Sequence, residues 1–258
     1  MYSKELNAAI EAALRAKEEI LKVYHQSFDV EIKEDDSPVT IADKRADEII
    51  RTYLSSVFPT HAFLTEESED NLDRLNNDYV WIVDPVDGTK DFIAKDDEFT
   101  TNIALAFKHE IVVGVICVPA KNEIYFASKD SGAFHLKDGV KTQIFANKKK
   151  EELTCLTSVF HMNKAEEQLI EKHKDKISHV KKAGSSLKAC YIASGKAELS
   201  YRMSPNTKEW DTAASEIIIS ESGAVMVKPD LVKMTYNRED VYNRDGYIIA
   251  NIIENVLL

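Results

Sequence analysis

The sequence has few of the residues that build specialised scaffolds. Its 258 residues include only three cysteines, Cys117, Cys155 and Cys190, which lie far apart and form no Cys-x-x-Cys pair. An odd number of scattered cysteines excludes a disulfide framework and predicts reduced thiols in a cytoplasmic protein. The most apolar stretch, residues 111–120, is too short to cross a bilayer, so we predict no membrane insertion.

The chain is also poor in positive charge. It contains 33 lysines and arginines against 44 aspartates and glutamates, for a formal net charge of −11. This balance excludes a nucleic-acid partner, which requires a clustered basic surface. An anionic ligand would need a cation to mediate its binding, so the composition favours a metal. The apolar fraction of 44% is otherwise ordinary for a globular protein.

Apolar residues recur first with helical and then with strand spacing. Helices are predicted at 6–24 and 41–54, the second with Thr40 as its N-cap and Pro59 as its stop. Short apolar runs separated by turns predict an antiparallel meander with strands at 79–84, 102–107, 111–118, 123–128 and 132–136.

The mixed-charge segment 146–152 is predicted to divide the chain into two domains. Residues 1–148 would form an N-terminal α+β domain, and residues 149–258 a C-terminal α/β domain. In the second part, helices alternate with strands. The helices are predicted at 165–173, 185–194 and 210–222, and the strands just before Gly184 and at 198–203.

The segment Asp84-Pro85-Val86-Asp87-Gly88-Thr89 carries the strongest chemical signal. A hydrophobic strand delivers Asp84 at its end, and a stiff turn brings Asp87 three residues later, so both carboxylates can converge on a hard cation. The alternative is an ordinary hairpin turn, since Asp-Gly is a common turn dipeptide. The five specified positions occur by chance with a probability on the order of 10⁻⁴, which favours the metal.

Two further acidic motifs lie far from this turn in the sequence. Glu66-Glu67-Ser68 follows an apolar stretch, and Asp211 lies in the first turn of a predicted helix. Taken singly, Glu66-Glu67-Ser68 would be a solvated loop. Asp211 would be a helix residue whose negative charge interacts favourably with the positive N-terminal end of the helix dipole. Together with Asp84 and Asp87 they supply oxygen ligands for several Mg²⁺ ions, and such ions allow an acidic site to accept a phosphomonoester dianion.

In their order and spacing, these motifs resemble the signatures of the inositol monophosphatase-like superfamily of Mg²⁺-dependent, lithium-sensitive phosphatases. The resemblance covers nearly the whole chain, because Val39-Thr40-Ile41-Ala42-Asp43 is similar to the family's N-terminal element. It implies a layered αβαβα sandwich of the sugar-phosphatase type. It also implies two or three Mg²⁺ ions held by the carboxylates of Glu66, Asp84, Asp87 and Asp211 and by the backbone carbonyl of Val86.

The same resemblance assigns Asp43 and Thr89 to the dyad that orients the attacking water, with Glu66 as a further catalytic residue. In this arrangement the Thr89 hydroxyl hydrogen-bonds the water and passes a proton toward Asp43. Backbone N–H groups near Gly88 and Ser185 are expected to hold phosphate, because predicted helices begin there.

Finer features resemble the 3′(2′),5′-bisphosphate nucleotidase branch, of the CysQ type. Asp87-Gly88-Thr89-Lys90-Asp91-Phe92 is similar to that branch's Asp-Gly-Thr-Lys-(Glu/Asp)-Phe motif, and Gly184-Ser185-Ser186-Leu187-Lys188 to its phosphate and nucleotide element. His161 and Arg202 lie near its nucleoside-binding histidine and its substrate-binding arginine. The resemblance therefore implies substrate contacts from Asp87, Gly88, Thr89, His161, Ser185, Lys188, Arg202 and Asp211.

The resemblance implies hydrolysis of adenosine 3′,5′-bisphosphate, a small-molecule phosphate ester, to AMP and phosphate, with a link to sulfur assimilation. Lys188 offers a point charge and Arg202 a bidentate fork to the phosphate that is not hydrolysed, although each is also readily explained as a solvated surface charge. Two alternatives stay open. One is an inositol monophosphatase or sugar (bis)phosphatase of the same superfamily, and the other is a non-catalytic metal- or nucleotide-binding protein. A homodimer is also left open.

Overall fold

The computed structural model describes residues 1–32 and 38–258. Within these ranges the helices are α1 (Ser3–Tyr24), α2 (Ile41–Val57), α3 (Thr89–Ala94), α4 (Lys164–Lys172), α5 (Leu187–Ala193) and α6 (Glu209–Glu221). The strands are β1 (Val30–Ile32), β2 (Pro38–Thr40), β3 (Ala62–Thr65), β4 (Tyr79–Asp87), β5 (Thr100–Phe107), β6 (Glu110–Val118), β7 (Glu123–Ser128), β8 (Ala133–Lys137), β9 (Val140–Ile144), β10 (Leu153–Thr157), β11 (Ile177–Lys182), β12 (Leu199–Arg202), β13 (Val225–Val227) and β14 (Tyr247–Ala250). No helix in the described ranges is both long and apolar enough to serve as a membrane span.

The first large sheet contains the antiparallel meander that the short apolar runs predict. Its seven strands lie in the order β3-β4-β5-β6-β7-β8-β9, and every neighbouring pair except the parallel β3–β4 pair is antiparallel. Lys108 and His109 make the turn between β5 and β6 with φ angles of 49° and 69°. The sequence pattern did not identify β3, which has four residues, or β9, which is largely exposed and polar as edge strands often are.

The second large sheet lies in the C-terminal part of the chain and mixes strand directions. Its order is β11-β10-β12-β14-β13, in which β10 runs parallel to β11 and β12 while β14 runs antiparallel to β12 and β13. The helices and strands predicted between residues 165 and 222 are confirmed with small shifts at their ends. The strands β10, β13 and β14 were not predicted.

Helical layers alternate with the two sheets. On the outer face of the seven-stranded sheet, α1 and α2 pack through a core that includes Ala12, Ile20, Ile50, Trp81 and Ile103. Between the two sheets lie α5 and α6, in a core that includes Ile116, Ile192, Ile217, Ile218 and Ile249. On the far side, Leu169 and Ile170 of α4 pack against the core of the five-stranded sheet. The succession is an αβαβα sandwich, as the sequence motifs implied.

A glycine allows α6 to approach the first sheet closely. A Cβ atom on Gly114 of β6 would lie 2.4 Å from Cγ2 of Ile217 and 2.6 Å from the carbonyl oxygen of Ala214. Any larger residue would therefore push the helix away from the sheet. Because α6 carries Asp211 in its first turn, this contact fixes how near Asp211 lies to the strands that carry the other acids.

A bulge in β4 turns two acidic side chains toward the same side. Asp84 pairs with Asn102 of β5 and Asp87 pairs with Thr100, so three steps along β4 match two steps along β5. In a regular strand, the side chains of residues three apart point to opposite faces of the sheet. Because the bulge adds one residue, the side chains of Asp84 and Asp87 point to the same face. The Thr101 hydroxyl donates a hydrogen bond to the Pro85 carbonyl at 2.8 Å and stabilises the bulge.

The segment that was predicted to separate two domains runs from the end of β9 to the start of β10. It lies between the chain segments that form the two large sheets, but α5 and α6 pack in a core shared by both sheets. The division into residues 1–148 and 149–258 stays a prediction.

Candidate active site

The structure brings together three of the acids predicted to bind metal. One carboxylate oxygen from each of Asp84, Asp87 and Asp211 lies within 4.8 Å of the others. The bulged end of β4 supplies the first two, and the first turn of α6 supplies the third. The N–H of Lys208 donates to Asp211 Oδ2 at 2.6 Å, so Asp211 caps its helix as well as facing the cluster.

The electrostatics of this cluster are unfavourable unless a cation is present. Asp84 is 1% exposed, and its Oδ1 has no hydrogen-bond partner among the described residues. Burial, followed by the charges of Glu66 and Asp87, raises the pKa of Asp84 well above its ordinary value. Burial and the charges of Asp87 and Glu66 raise the pKa of Asp211 to about 7. Such a set of oxygen donors fits a hard divalent cation, which would offset the desolvation and the repulsion.

Asp87 is held in place by donors from two other elements. Its Oδ2 accepts hydrogen bonds from Ser186 Oγ at 2.7 Å, Asn102 Nδ2 at 3.1 Å and Thr100 Oγ1 at 3.2 Å. Asn102 Nδ2 also donates to Ser186 Oγ at 2.9 Å, which ties β5 to the segment before α5. These bonds leave Oδ1 of Asp87 available to a ligand.

The predicted dyad residues meet at the first turns of α2 and α3. Thr89 Oγ1 lies 3.4 Å from Asp43 Oδ1 and 3.3 Å from the Val86 carbonyl oxygen, so its single hydroxyl hydrogen can be donated to either oxygen. Asp43 is 2% exposed, and its Oδ2 accepts from the Thr40 N–H at 2.8 Å and the Thr40 hydroxyl at 2.6 Å. Burial raises the pKa of Asp43, while the bonds from Thr40 oppose that shift. Thr40 is thus the N-cap predicted from the sequence and also the residue that orients Asp43.

Glu66 lies beside the three-carboxylate cluster but is not one of its members. It lines the same cavity, and its charge raises the pKa of Asp43, Asp84 and Asp211. Its N–H donates to the Val83 carbonyl at 3.2 Å, which anchors the end of β3 to β4. The structure therefore brings Glu66 into the acidic site without placing its carboxylate within the same short distances.

Positive charges line another part of this cavity, which has a volume of about 740 Å³. Its lining includes all the residues predicted to bind substrate, namely Asp87, Gly88, Thr89, His161, Ser185, Lys188, Arg202 and Asp211. Lys188 Nζ donates to the carbonyls of Ser185 at 2.7 Å and Ala183 at 3.2 Å. Arg202 Nη1 donates to the His161 carbonyl at 2.7 Å and lies 4.0 Å from Glu166.

His161 is held as a neutral imidazole. Burial, followed by the positive charges of Lys90 and Arg202, lowers the pKa of His161 to about 4. Lys90 Nζ lies 3.3 Å from His161 Nε2, so that nitrogen accepts the hydrogen bond and Nδ1 carries the proton. His161 therefore offers an N–H donor rather than a positive charge to a ligand.

Several residues that shape this site were not predicted from the sequence. Thr100 and Asn102 lie in the polar first three residues of β5, directly before its apolar run, and polar residues at the start of a buried strand are the signal that could have indicated a tertiary contact. The aromatic residues that line the cavity gave no comparable signal, because large apolar side chains are most often core. They are Tyr201, Trp210, Tyr242 and Tyr247.

The layered αβαβα fold and its acidic cluster are typical of one class of proteins, the metal-dependent phosphatases. The family model described as the inositol monophosphatase family matches residues 1–256, and the chain belongs to that family. Members of the family are metal-dependent phosphatases, in agreement with the cluster of acids.

Individual relatives share much of the sequence. A protein named 3′(2′),5′-bisphosphate nucleotidase CysQ, from Buchnera aphidicola subsp. Acyrthosiphon pisum, is 35% identical over 226 residues, which cover 86% of this chain and 84% of the relative. The protein of the same name from Escherichia coli (strain K12) is 34% identical over 222 residues, covering 85% of this chain and 88% of the relative. The crystal structure of CysQ from Bacteroides thetaiotaomicron has a TM-score of 0.82 and 35% identity, covering 96% of this chain and 97% of that one.

Proposed function

We propose that this protein is a Mg²⁺-dependent phosphomonoesterase that hydrolyses adenosine 3′,5′-bisphosphate to AMP and phosphate. The observation that carries the proposal is a single cavity with carboxylates on one part of its wall and Lys188 and Arg202 on another. The acids suit a cation that binds the reacting phosphate, and the two basic residues suit a second phosphate. The names and the sequence identity of the CysQ relatives support the same substrate.

The residues that would hold two or three Mg²⁺ ions are the carboxylates of Glu66, Asp84, Asp87 and Asp211 and the backbone carbonyl of Val86. When bound, Mg²⁺ supplies charge neutralisation for the phosphate and acidifies a water molecule. The buried Oδ1 of Asp84, which has no partner in the described part of the chain, supports this assignment.

Asp43 and Thr89 would orient and deprotonate the attacking water. The Thr89 hydroxyl accepts a hydrogen bond from the water and donates its own hydrogen toward Asp43 Oδ1, at 3.4 Å. Burial raises the pKa of Asp43, which makes its carboxylate a better proton acceptor than an exposed aspartate. Glu66, which lines the same cavity, would be a further catalytic residue.

The remaining predicted contacts would bind the part of the substrate that does not react. Lys188 and Arg202 would bind the second phosphate, and the Nδ1–H of neutral His161 would donate to the nucleoside. Gly88 and Ser185 would contribute backbone N–H groups. We also propose that the protein acts in the cytoplasm, because Cys117, Cys155 and Cys190 are all free and buried.

Comparison of substrates tests this proposal directly. With Mg²⁺ at a fixed concentration, we expect kcat/KM for adenosine 3′,5′-bisphosphate to exceed that for inositol 1-phosphate by at least about 100-fold, since the second phosphate adds charged contacts. EDTA should abolish phosphate release, and added Mg²⁺ should restore it. A preference for inositol 1-phosphate would instead favour an inositol monophosphatase, and the absence of turnover with both esters and with sugar phosphates would favour a binding protein.

A further inference from the structure

The loop between β11 and α5 adopts a conformation that few residues take unaided. Ser185 has a φ angle of +40°, which is unfavourable for a residue that carries a Cβ atom. Gly184 before it is tightly enclosed, because a Cβ atom there would lie 2.7 Å from Asp91 Oδ1 and 2.8 Å from Cβ of Glu98. Such a conformation persists only where surrounding contacts hold it.

Glu98 supplies those contacts. Its Oε2 accepts a hydrogen bond from the Gly184 N–H at 2.7 Å, and its backbone carbonyl accepts one from Ser185 Oγ at 2.6 Å. Its Oε1 accepts from Lys121 Nζ at 3.1 Å, which fixes the carboxylate from the other side. Glu98 lies in the segment between α3 and β5 and is not among the described residues that line the cavity.

The loop that Glu98 holds presents Ser185 and Ser186 to the cavity and leads into α5, whose second residue, Lys188, also lines the cavity. Lys188 Nζ donates to the carbonyls of Ala183 and Ser185, so the direction of its ammonium group follows the conformation of the loop. Ser186 Oγ donates to Asp87 Oδ2 at 2.7 Å. The same backbone conformation therefore sets the position of the Lys188 ammonium group, whereas Ser186 is also held from β5 by Asn102, whose Nδ2 donates to Ser186 Oγ at 2.9 Å.

We propose that Glu98 is a positioning residue that sets the affinity for a doubly phosphorylated substrate. It acts through the Gly184–Ser185 backbone, which it keeps in the conformation that directs Lys188 toward the second phosphate. This inference rests on the proposed function for the identity of the ligand, but the contacts of Glu98 do not depend on that function.

Kinetics with two nucleotides test the inference. The substrates are adenosine 3′,5′-bisphosphate and 3′-AMP, which lacks the second phosphate. Glu98→Ala should raise KM for the bisphosphate by about 10- to 100-fold, with kcat within about threefold of wild type and little change in KM for 3′-AMP. Glu98→Gln keeps an oxygen that can accept from the Gly184 N–H, so its KM should lie close to that of wild type. If Glu98→Ala fails to fold, Lys121→Met, which frees the carboxylate from its other partner, should raise the same KM by a smaller factor.

A second substitution tests whether Glu98 affects KM through the strained backbone at Ser185. Glycine adopts positive φ without a steric penalty, so Ser185→Gly in the Glu98→Ala background should recover part of the lost affinity. In the wild-type background the Glu98 carboxylate already holds the conformation, so Ser185→Gly gains nothing there and should raise KM, because it loses the hydrogen bond from the Ser185 hydroxyl to the backbone carbonyl of residue 98, a loss common to both backgrounds. The coupling between the two substitutions should therefore be strongly non-additive.

Glu123 provides a matched control for lost stability. Glu123 is buried and, like the partly exposed Glu98, pairs with a lysine, Lys137 at 2.7 Å, and it too is not among the described residues that line the cavity. Glu123→Ala should lower Tm without changing KM.

The inference is overturned if Glu98→Ala leaves KM for the bisphosphate unchanged, raises KM equally for both nucleotides, or shows no recovery with Ser185→Gly. Wild-type preference for inositol 1-phosphate would overturn the proposed function alone. In that event, the same variants assayed with inositol 1-phosphate show whether Glu98 still controls KM through the loop.

Discussion

The hydroxyl of Thr89 and the carboxylate of Asp43 lie 3.4 Å apart, joining the first turns of α2 and α3. Because Thr40 occupies Asp43 Oδ2 with two hydrogen bonds, Oδ1 is the oxygen that faces Thr89. The pair therefore has a defined direction, with Thr89 as donor and Asp43 as acceptor. A group that donates to Thr89 completes a path for one proton from the cavity to a buried carboxylate.

Thr89→Ala should lower kcat by about 100-fold or more while changing KM by less than about threefold, because the proposed role of the hydroxyl is to orient water, and the backbone of residue 89 stays available to the substrate. Thr89→Ser, which keeps the hydroxyl, should retain most of the activity. Steady-state kinetics of both variants with the bisphosphate provide the measurement. An effect of Thr89→Ala confined to KM would contradict a role in orienting water.

Asp84→Asn should lower kcat by about a thousandfold, equivalent to about 4 kcal/mol of transition-state stabilisation, because the proposed metal ligand would lose its charge. Circular dichroism should show an unchanged fold. Near-normal turnover would remove Asp84 from the metal site.

The same substitution should have the opposite effect on stability without metal. In EDTA, Asp84→Asn should stabilise the protein by about 1–2 kcal/mol, because it removes a buried charge next to Asp87 and Asp211. Added Mg²⁺ should raise the Tm of the wild type and have much less effect on the variant. Equal Mg²⁺-induced shifts in the two proteins would show that Asp84 does not bind the ion.

Arg202→Ala should reduce kcat/KM for adenosine 3′,5′-bisphosphate by about 100-fold, or about 3 kcal/mol, and for 3′-AMP by less than about fivefold. Arg202 also holds the His161 carbonyl, so Arg202→Lys serves as the matched variant that keeps the charge and loses the bidentate geometry. It should fall between the wild type and Arg202→Ala. Equal losses for both nucleotides would mean that Arg202 does not bind the second phosphate.

Local sequence patterns predicted the elements whose residues carry their own periodic signal. The apolar periodicity of α1 and the short apolar runs of β5 to β8 belong to this group, and their predictions are confirmed. The strands β3, β13 and β14 have only three or four residues, too few for a period to show. They form because neighbouring strands and helices already define their place.

For the site as well, the sequence predicted what is local along the chain and did not predict what depends on tertiary contacts. The acids of the Asp84–Thr89 turn are close in sequence, and a short motif was enough to predict that they share a site. The anchors of Asp87 come from residues that are far apart along the chain, such as Asn102 and Ser186. Their contact depends on the β4 bulge and on the packing of α5, neither of which leaves a pattern in the local sequence. Glu98 was not predicted either, because a single acid in a charged loop resembles a solvated residue.

A buried acid in α6 predicts how stability depends on pH. Burial raises the pKa of Glu216 to about 7, with the charge of Lys233 opposing the shift and those of Glu110 and Glu221 reinforcing it. Because the folded state binds this proton more tightly than the unfolded state, the contribution of Glu216 to stability is fully present below about pH 4.5 and decreases as pH rises through about 7. Glu216→Gln should therefore stabilise the protein at pH 8 by up to about 3 kcal/mol, and the gain should shrink toward zero near pH 4.5.

Urea denaturation of wild type and Glu216→Gln at several pH values between 5 and 8 measures this difference, and subtracting the two curves cancels the titration of the active-site acids. Glu19→Gln is the matched control, because the hydrogen bonds from Arg45 and Lys22 lower the pKa of Glu19 instead of raising it. Removing that charge should slightly destabilise the protein at high pH, which is the opposite sign. A Glu216→Gln difference that stays constant over this pH range would mean that the carboxyl of Glu216 titrates alike in the folded and unfolded chain, and that burial in α6 does not hold its proton.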